Sequence, residues 1–115
     1  MVERRKAVRL ETRLAVSYHV LNSGAVGKAE TKNFSADGVR FIAARRLEVG
    51  EELDVTLHFP DADPVVARGK VIWKEWRPSR DPAVPGVMSD IGVKFLSIDP
   101  KDREHLIQYV KLNMP

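Results

Sequence analysis

Two short clusters in this chain carry side chains able to hold an anion. The first is Arg5-Lys6-Ala7-Val8-Arg9, an R-x-x-x-R pattern preceded by Arg4. A guanidinium is a planar fork of donors that pairs bidentately with phosphate-type oxygens, whereas lysine acts as a point charge. The second is Asn33-Phe34-Ser35-Ala36-Asp37-Gly38, an N-x-S-x-x-G pattern. Asn33 and Ser35 lie two apart, so on an extended segment both side chains face the same way. Their amide and hydroxyl groups offer both donors and acceptors. Gly38 offers a backbone that can turn with positive φ and let a ligand approach closely. Blander readings stand beside these: a solvated basic tail, and an Asx- or Ser-type turn in which Gly38 serves geometry alone. The segment Arg9-Leu10-Glu11-Thr12-Arg13 also satisfies R-x-x-x-R, so that half of the pattern is weak by itself.

The placement of charge fits a solvated basic tail and a local anion site alike, and charge alone does not choose between them. The formal net charge is +3, and residues 1–13 hold five cations and two anions. The remaining fourteen cations and fourteen anions cancel, so the whole excess sits in the N-terminal arm.

The elements that must position these groups are mostly strands. Leu14, Val16, Tyr18 and Val20 alternate with Ala15, Ser17 and His19, and Asn22-Ser23-Gly24 then signals a turn. A second strand is expected over Lys28–Asn33. Val39, Phe41 and Ala43 alternate with Arg40 and Ile42, and Leu53, Val55, Leu57 and Phe59 alternate with polar residues. Val65 to Trp76 reads as a long strand with Ala67, Gly69, Val71 and Trp73 on one face. Pro78 to Pro85 reads as a polar loop, and Ile91, Val93 and Phe95 mark a last strand. The period then changes. Asp99 suits a helix N-cap, Pro100 the first helical position, and Leu106, Ile107, Val110 and Met114 an apolar stripe. The expected architecture is all-β: a six-stranded antiparallel closed barrel with one C-terminal helix. It divides into a basic arm over 1–13, a barrel over 14–98 and a helix over 99–115, all within one domain.

Together, in this order and about two dozen residues apart, the two patterns resemble the bipartite signature of PilZ domains. Val71-Ile72-Trp73 in the late strand and Gly92-Val93-Lys94-Phe95 near the end extend the likeness over nearly the whole chain. The resemblance implies a bacterial second-messenger receptor that binds cyclic di-GMP and signals by ordering the arm and docking on an unknown downstream protein. The ligand-binding set it implies is Arg4, Arg5, Arg9, Asn33, Ser35 and Gly38. Arginine matches guanine O6 and N7 and stacks on a purine as well as holding phosphate. Trp73 joins the set if its face stacks on a guanine, and leaves it if its phase with Val71 makes it core. An arginine before R-x-x-x-R, here Arg4, accompanies an intercalated ligand dimer in the family, so two cyclic di-GMP molecules per chain are expected.

Other classes fit less well. Asp61 and Asp63 sit between prolines in an apparent turn, and no nucleophile–base pair is evident, so no enzyme is expected. Without cysteine, and with His19, His58 and His105 dispersed, no metal site and no cofactor are expected. A neutral barrel with two tryptophans is a poor nucleic-acid groove. No apolar run of membrane-spanning length and no signal peptide is present, which makes the cytoplasm the default location. The alternative is a PilZ-like adaptor that acts through a protein partner without binding nucleotide.

Overall fold

The computed structural model describes residues 9–79, 82–83 and 86–114. Alternating side chains build six strands: β1 (Ala15–Val20), β2 (Val26–Phe34), β3 (Gly38–Ala43), β4 (Glu52–His58), β5 (Val65–Pro78) and β6 (Val87–Ile98). They close in the order β1-β2-β3-β6-β5-β4, every pairing antiparallel. Closure leaves no unpaired edge, which is how a sheet of short strands protects its backbone donors and acceptors. The six-stranded barrel with one C-terminal helix is the architecture the alternation predicts. β2 begins two residues before the expected Lys28, because Val26 and Gly27 pair with His19 and Tyr18.

Inward residues fill the barrel. Val16, Phe34, Phe41, Leu53, Val55, Val71 and Ile91 are fully or almost fully buried. The helix α1 (Pro100–Leu112) is capped by Asp99, whose carboxylate accepts from the Lys101 N–H at 2.9 Å. It buries Leu106 and Val110 against the barrel end where β2 and β4 finish. There Tyr109 and His105 lie 4.7 and 4.6 Å from the Phe59 ring. Met114 falls beyond the helix and is exposed, so the apolar stripe ends at Val110.

Two of the three register shifts in the barrel bear on the outer surface. The β2–β3 register shifts between Thr31 and Asn33, and the β5–β6 register shifts between Val71 and Trp73. An extra residue in one strand reverses the facing of all that follow. Trp73 therefore leaves the core face on which simple alternation with Val71 would put it. It is 39% exposed and lies on the outside of the barrel.

Candidate functional site

The segment leading into the barrel is stitched onto the N-x-S-x-x-G strand. Leu10 and Phe34 exchange backbone hydrogen bonds at 2.8 and 3.1 Å. Thr31 adds a buried tie, its hydroxyl donating to the Thr12 carbonyl at 2.7 Å and accepting from the Leu14 N–H at 2.9 Å. These contacts set Arg9 beside β2, and Arg9 Nη1 donates to Asn33 Oδ1 at 2.8 Å. The last arginine of the first pattern thus touches the first residue of the second. Arg4 and Arg5 lie outside the described residues.

Asn33 and Ser35 do not share a face. β2 ends at Phe34, so the extended geometry stops between them. Ser35 enters the turn, where it is buried and its Oγ accepts from the Asp37 N–H at 3.1 Å. The Ser35 N–H donates to the Gly38 carbonyl at 2.9 Å and closes the same turn. The turn is also clamped from outside. Arg103 of α1 donates to the Ala36 carbonyl at 3.0 Å and to the Asp37 carboxylate at 3.2 Å. The Phe95 N–H donates to the Asp37 carbonyl at 2.8 Å.

Gly38 is required for a reason other than positive φ. Positive φ among the described residues is confined to Gly24, Gly50 and Gly86. Gly38 instead pairs with Lys94 on β6, and a Cβ there would run into the Val93 carbonyl oxygen. Gly38→Ala is expected to destabilise the domain by about 1–3 kcal/mol, because the obstacle is backbone and cannot rotate away. Thermal unfolding checks this; an unchanged midpoint would show that β3 and β6 yield at no cost.

From Asn33 a single row of residues crosses the outer surface of four strands. Asn33 of β2 is opposite Arg40 of β3, Arg40 is opposite Gly92 of β6, and Gly92 is opposite Trp73 of β5. Gly92 has no side chain, and Trp73 leans into that space, so a Cβ at residue 92 would strike the indole nitrogen. The Arg40 guanidinium carbon lies 5.3 Å from the Trp73 ring centre, a cation–π arrangement. Beneath the row sits Asp90, fully buried under cationic side chains. Arg40 binds it side-on, Nε to Oδ1 at 3.0 Å and Nη2 to Oδ2 at 2.8 Å. Arg77 reaches it at 3.3 Å and Lys32 at 3.5 Å. The hydrogen bonds from Arg40, helped by the charges of Arg40, Lys32 and Arg77, hold the Asp90 carboxyl below the usual carboxylate range against the opposing effect of burial.

Sequence reasoning missed Arg40, Asp90, Gly92 and Lys32 as neighbours of the site. Arg40 is legible only as an outward residue of an alternating strand, and its partner lies fifty positions away. β5 runs on to Pro78, two residues past the expected Trp76, and there Arg77 pairs with both Asp90 and Glu75. Trp76 is half-buried between Lys74 and Arg46, its Nε1 donating to the Leu47 carbonyl at 2.8 Å. Among the described residues no three His, Asp or Glu side chains converge as a metal site, and no helix is long and apolar enough to cross a membrane.

The chain is thus a small closed antiparallel barrel in which Arg9 touches the first residue of the N-x-S-x-x-G segment. The model of the PilZ domain family matches residues 3–112, and the chain belongs to that family. No match was found among curated protein sequences. Solved structures with the same fold include the inhibitor of motility MotI/DgrA of Bacillus subtilis, 20% identical, with a TM-score of 0.76 over 96% of this chain and 51% of that one. This chain thus spans about half the length of the Bacillus protein. The PilZ domain of YcgR from Escherichia coli, solved with c-di-GMP, is 13% identical, with a TM-score of 0.71 over 96% and 91% of the two chains. The PilZ domain of CeSA from a cellulose-synthesizing bacterium is 11% identical, with a TM-score of 0.61 over 90% and 95%. At these identities the likeness is one of fold.

Proposed function

We propose that this domain is a cyclic di-GMP receptor that binds its ligand on the outer face formed by β2, β3, β6 and β5. The observation that carries the reading is the Arg9–Asn33 hydrogen bond, which unites the two halves of the signature at the edge of the Arg40–Trp73 row. Family membership supports it, as does the c-di-GMP held by the YcgR PilZ domain. In this reading Arg4, Arg5 and Arg9 supply forks for the phosphates and guanine edges. Asn33 offers its amide, and Trp73 offers a face for stacking. The buried Ser35 hydroxyl and Gly38 keep the turn in the shape that presents Asn33. Binding draws the arginine arm over this face, and the covered surface is what a downstream protein reads. No group on this face is asked to break a bond.

Calorimetry tests the proposal. Saturable binding of cyclic di-GMP is expected near micromolar or tighter, roughly −8 kcal/mol. GTP, GMP and cyclic di-AMP are expected to give no comparable heat. Two ligand molecules are expected per chain, held as an intercalated dimer, because Arg4 adds a third guanidinium for the second molecule. Arg4→Leu is expected to lower the ratio towards one without abolishing binding. No heat at high ligand concentration sinks the receptor; a ratio of one for the unmodified protein sinks only the dimer.

A further inference from the structure

The row from Asn33 to Trp73 contains a guanidinium whose orientation is fixed before any ligand arrives. Asp90 takes two of the Arg40 donors side-on, through Nε and Nη2. Bidentate geometry of this kind fixes the plane of the guanidinium as well as its position. Trp73 flanks that plane on one side, in the space that Gly92 leaves open. Arg40 Nη1 makes no hydrogen bond among the described residues, and a third of the Arg40 side chain is solvent-accessible. The carboxylate also offsets the charge of Arg40, which weakens its pull on phosphate while leaving its directional donors intact.

We infer that Arg40, held in place by Asp90, is a guanine-selecting residue of the outer face, and that Asp90 is the positioning residue behind it. This rests on the cyclic dinucleotide reading above and names what discriminates the base. Guanine presents two acceptors, O6 and N7, along the edge that an arginine reads, whereas adenine presents an N6 amino donor in place of O6. A flexible arginine can swing away from that amino group. One clamped by a buried carboxylate and a neighbouring indole cannot, so adenine is rejected by donor facing donor. The arginine arm supplies charge to any cyclic dinucleotide; Arg40 supplies the preference for the guanine base.

The test compares cyclic di-GMP with cyclic di-AMP, which keeps both phosphates and exchanges both bases, so that neither orientation of the ligand offers Arg40 a guanine. The unmodified domain is expected to prefer cyclic di-GMP. Arg40→Ala is expected to shrink that preference by about tenfold or more, the discrimination attached to one arginine–guanine pair. Asp90→Asn is expected to shrink it in the same direction, and to add little in the Arg40→Ala background. Arg68→Ala, which removes an exposed ion pair with Asp54, serves as the surface control and is expected to leave the ratio unchanged. Circular dichroism melts accompany each variant, and if Asp90→Asn does not fold, Arg40→Ala decides the matter alone. A ratio unchanged in Arg40→Ala overturns the inference even if both ligands bind more weakly, because a structural or phosphate role lowers both together. Additive losses from Arg40→Ala and Asp90→Asn overturn the positioning role of Asp90. If the unmodified domain binds neither nucleotide, the receptor reading itself has failed, a result distinct from either.

Discussion

Arg9→Ala is expected to weaken cyclic di-GMP binding by about 2–5 kcal/mol, the loss typical of removing one partner from a desolvated charge pair. Arg9 is the arginine of the R-x-x-x-R pattern whose place beside the turn is set by a side-chain contact, through Asn33 Oδ1 at 2.8 Å. Its removal deletes a charge from the face and also unfastens the arm from Asn33. Ser35→Ala is expected to cost less, about 1 kcal/mol, since the buried Ser35 hydroxyl accepts from the Asp37 N–H and reaches the ligand only through the shape of the turn. Arg13→Ala is the useful control. Arg13 belongs to the overlapping Arg9–Arg13 copy of the pattern and is exposed. Calorimetry on the three variants distinguishes them. If Arg13→Ala abolishes binding while Arg9→Ala binds as the parent does, the arm has been placed four residues out of register.

Asp90→Ala is expected to destabilise the fold by about 3–5 kcal/mol at neutral pH. It leaves Arg40, Lys32 and Arg77 crowded around a site with no anion, and breaking one side of a buried ion pair carries a cost of this size. Glu75 pairs with Arg77 and eases the charge of Arg40 more weakly, without a direct contact. The pH dependence follows from the lowered folded-state pKa of Asp90. An unfolded aspartate titrates near about 3.9, so above that value both states are ionised and the full contribution is present. As the pH falls through that value and on through the lower folded one, the folded state must take up a proton it resists, and the contribution fades. Chemical denaturation of parent and Asp90→Ala should therefore show a constant gap from pH 7 to about 5 and a closing gap in acid. A gap that stays constant into acid would mean that the loss came from packing and not from charge.

How much of this was readable in advance depended on whether the signal was local. The strands announced themselves because one face of each is buried, so Val16, Tyr18 and Val20, or Leu53, Val55 and Leu57, recur at period two. Asp99 and Pro100 marked the helix start because capping is a matter of adjacent residues. The two patterns of the site were also local. What was not legible depended on register. Nothing in Val71-Ile72-Trp73 says that the β5–β6 pairing slips there, yet that slip takes Trp73 out of the core. Arg40 looks like any outward residue until β6 brings Asp90 beneath it. Asp90 itself, in Met88-Ser89-Asp90-Ile91, reads as a polar residue before a strand and gives no sign that it is fully buried. The φ of Gly38 is not positive and its backbone lies close to β6, and a glycine needed for positive φ and one needed for close backbone approach look the same in sequence.

The backbone bridge between Leu10 and Phe34 makes the arginine arm a tethered reagent. Arg5 is four residues from Arg9, so its Cα can lie no more than about 14 Å from that of Arg9. If the receptor reading holds, arginines tethered that closely would act at an effective concentration in the millimolar range or above. Under the proposed reading, engagement of Arg9 would turn the capture of a phosphate by Arg5 into an intramolecular step. A ligand bound as proposed would meet the arm and the barrel as a bivalent receptor, and its residence time would depend on the length of the tether. Flexible residues inserted between Arg5 and Arg9 would dilute that local concentration while leaving every ligand-binding side chain in the chain.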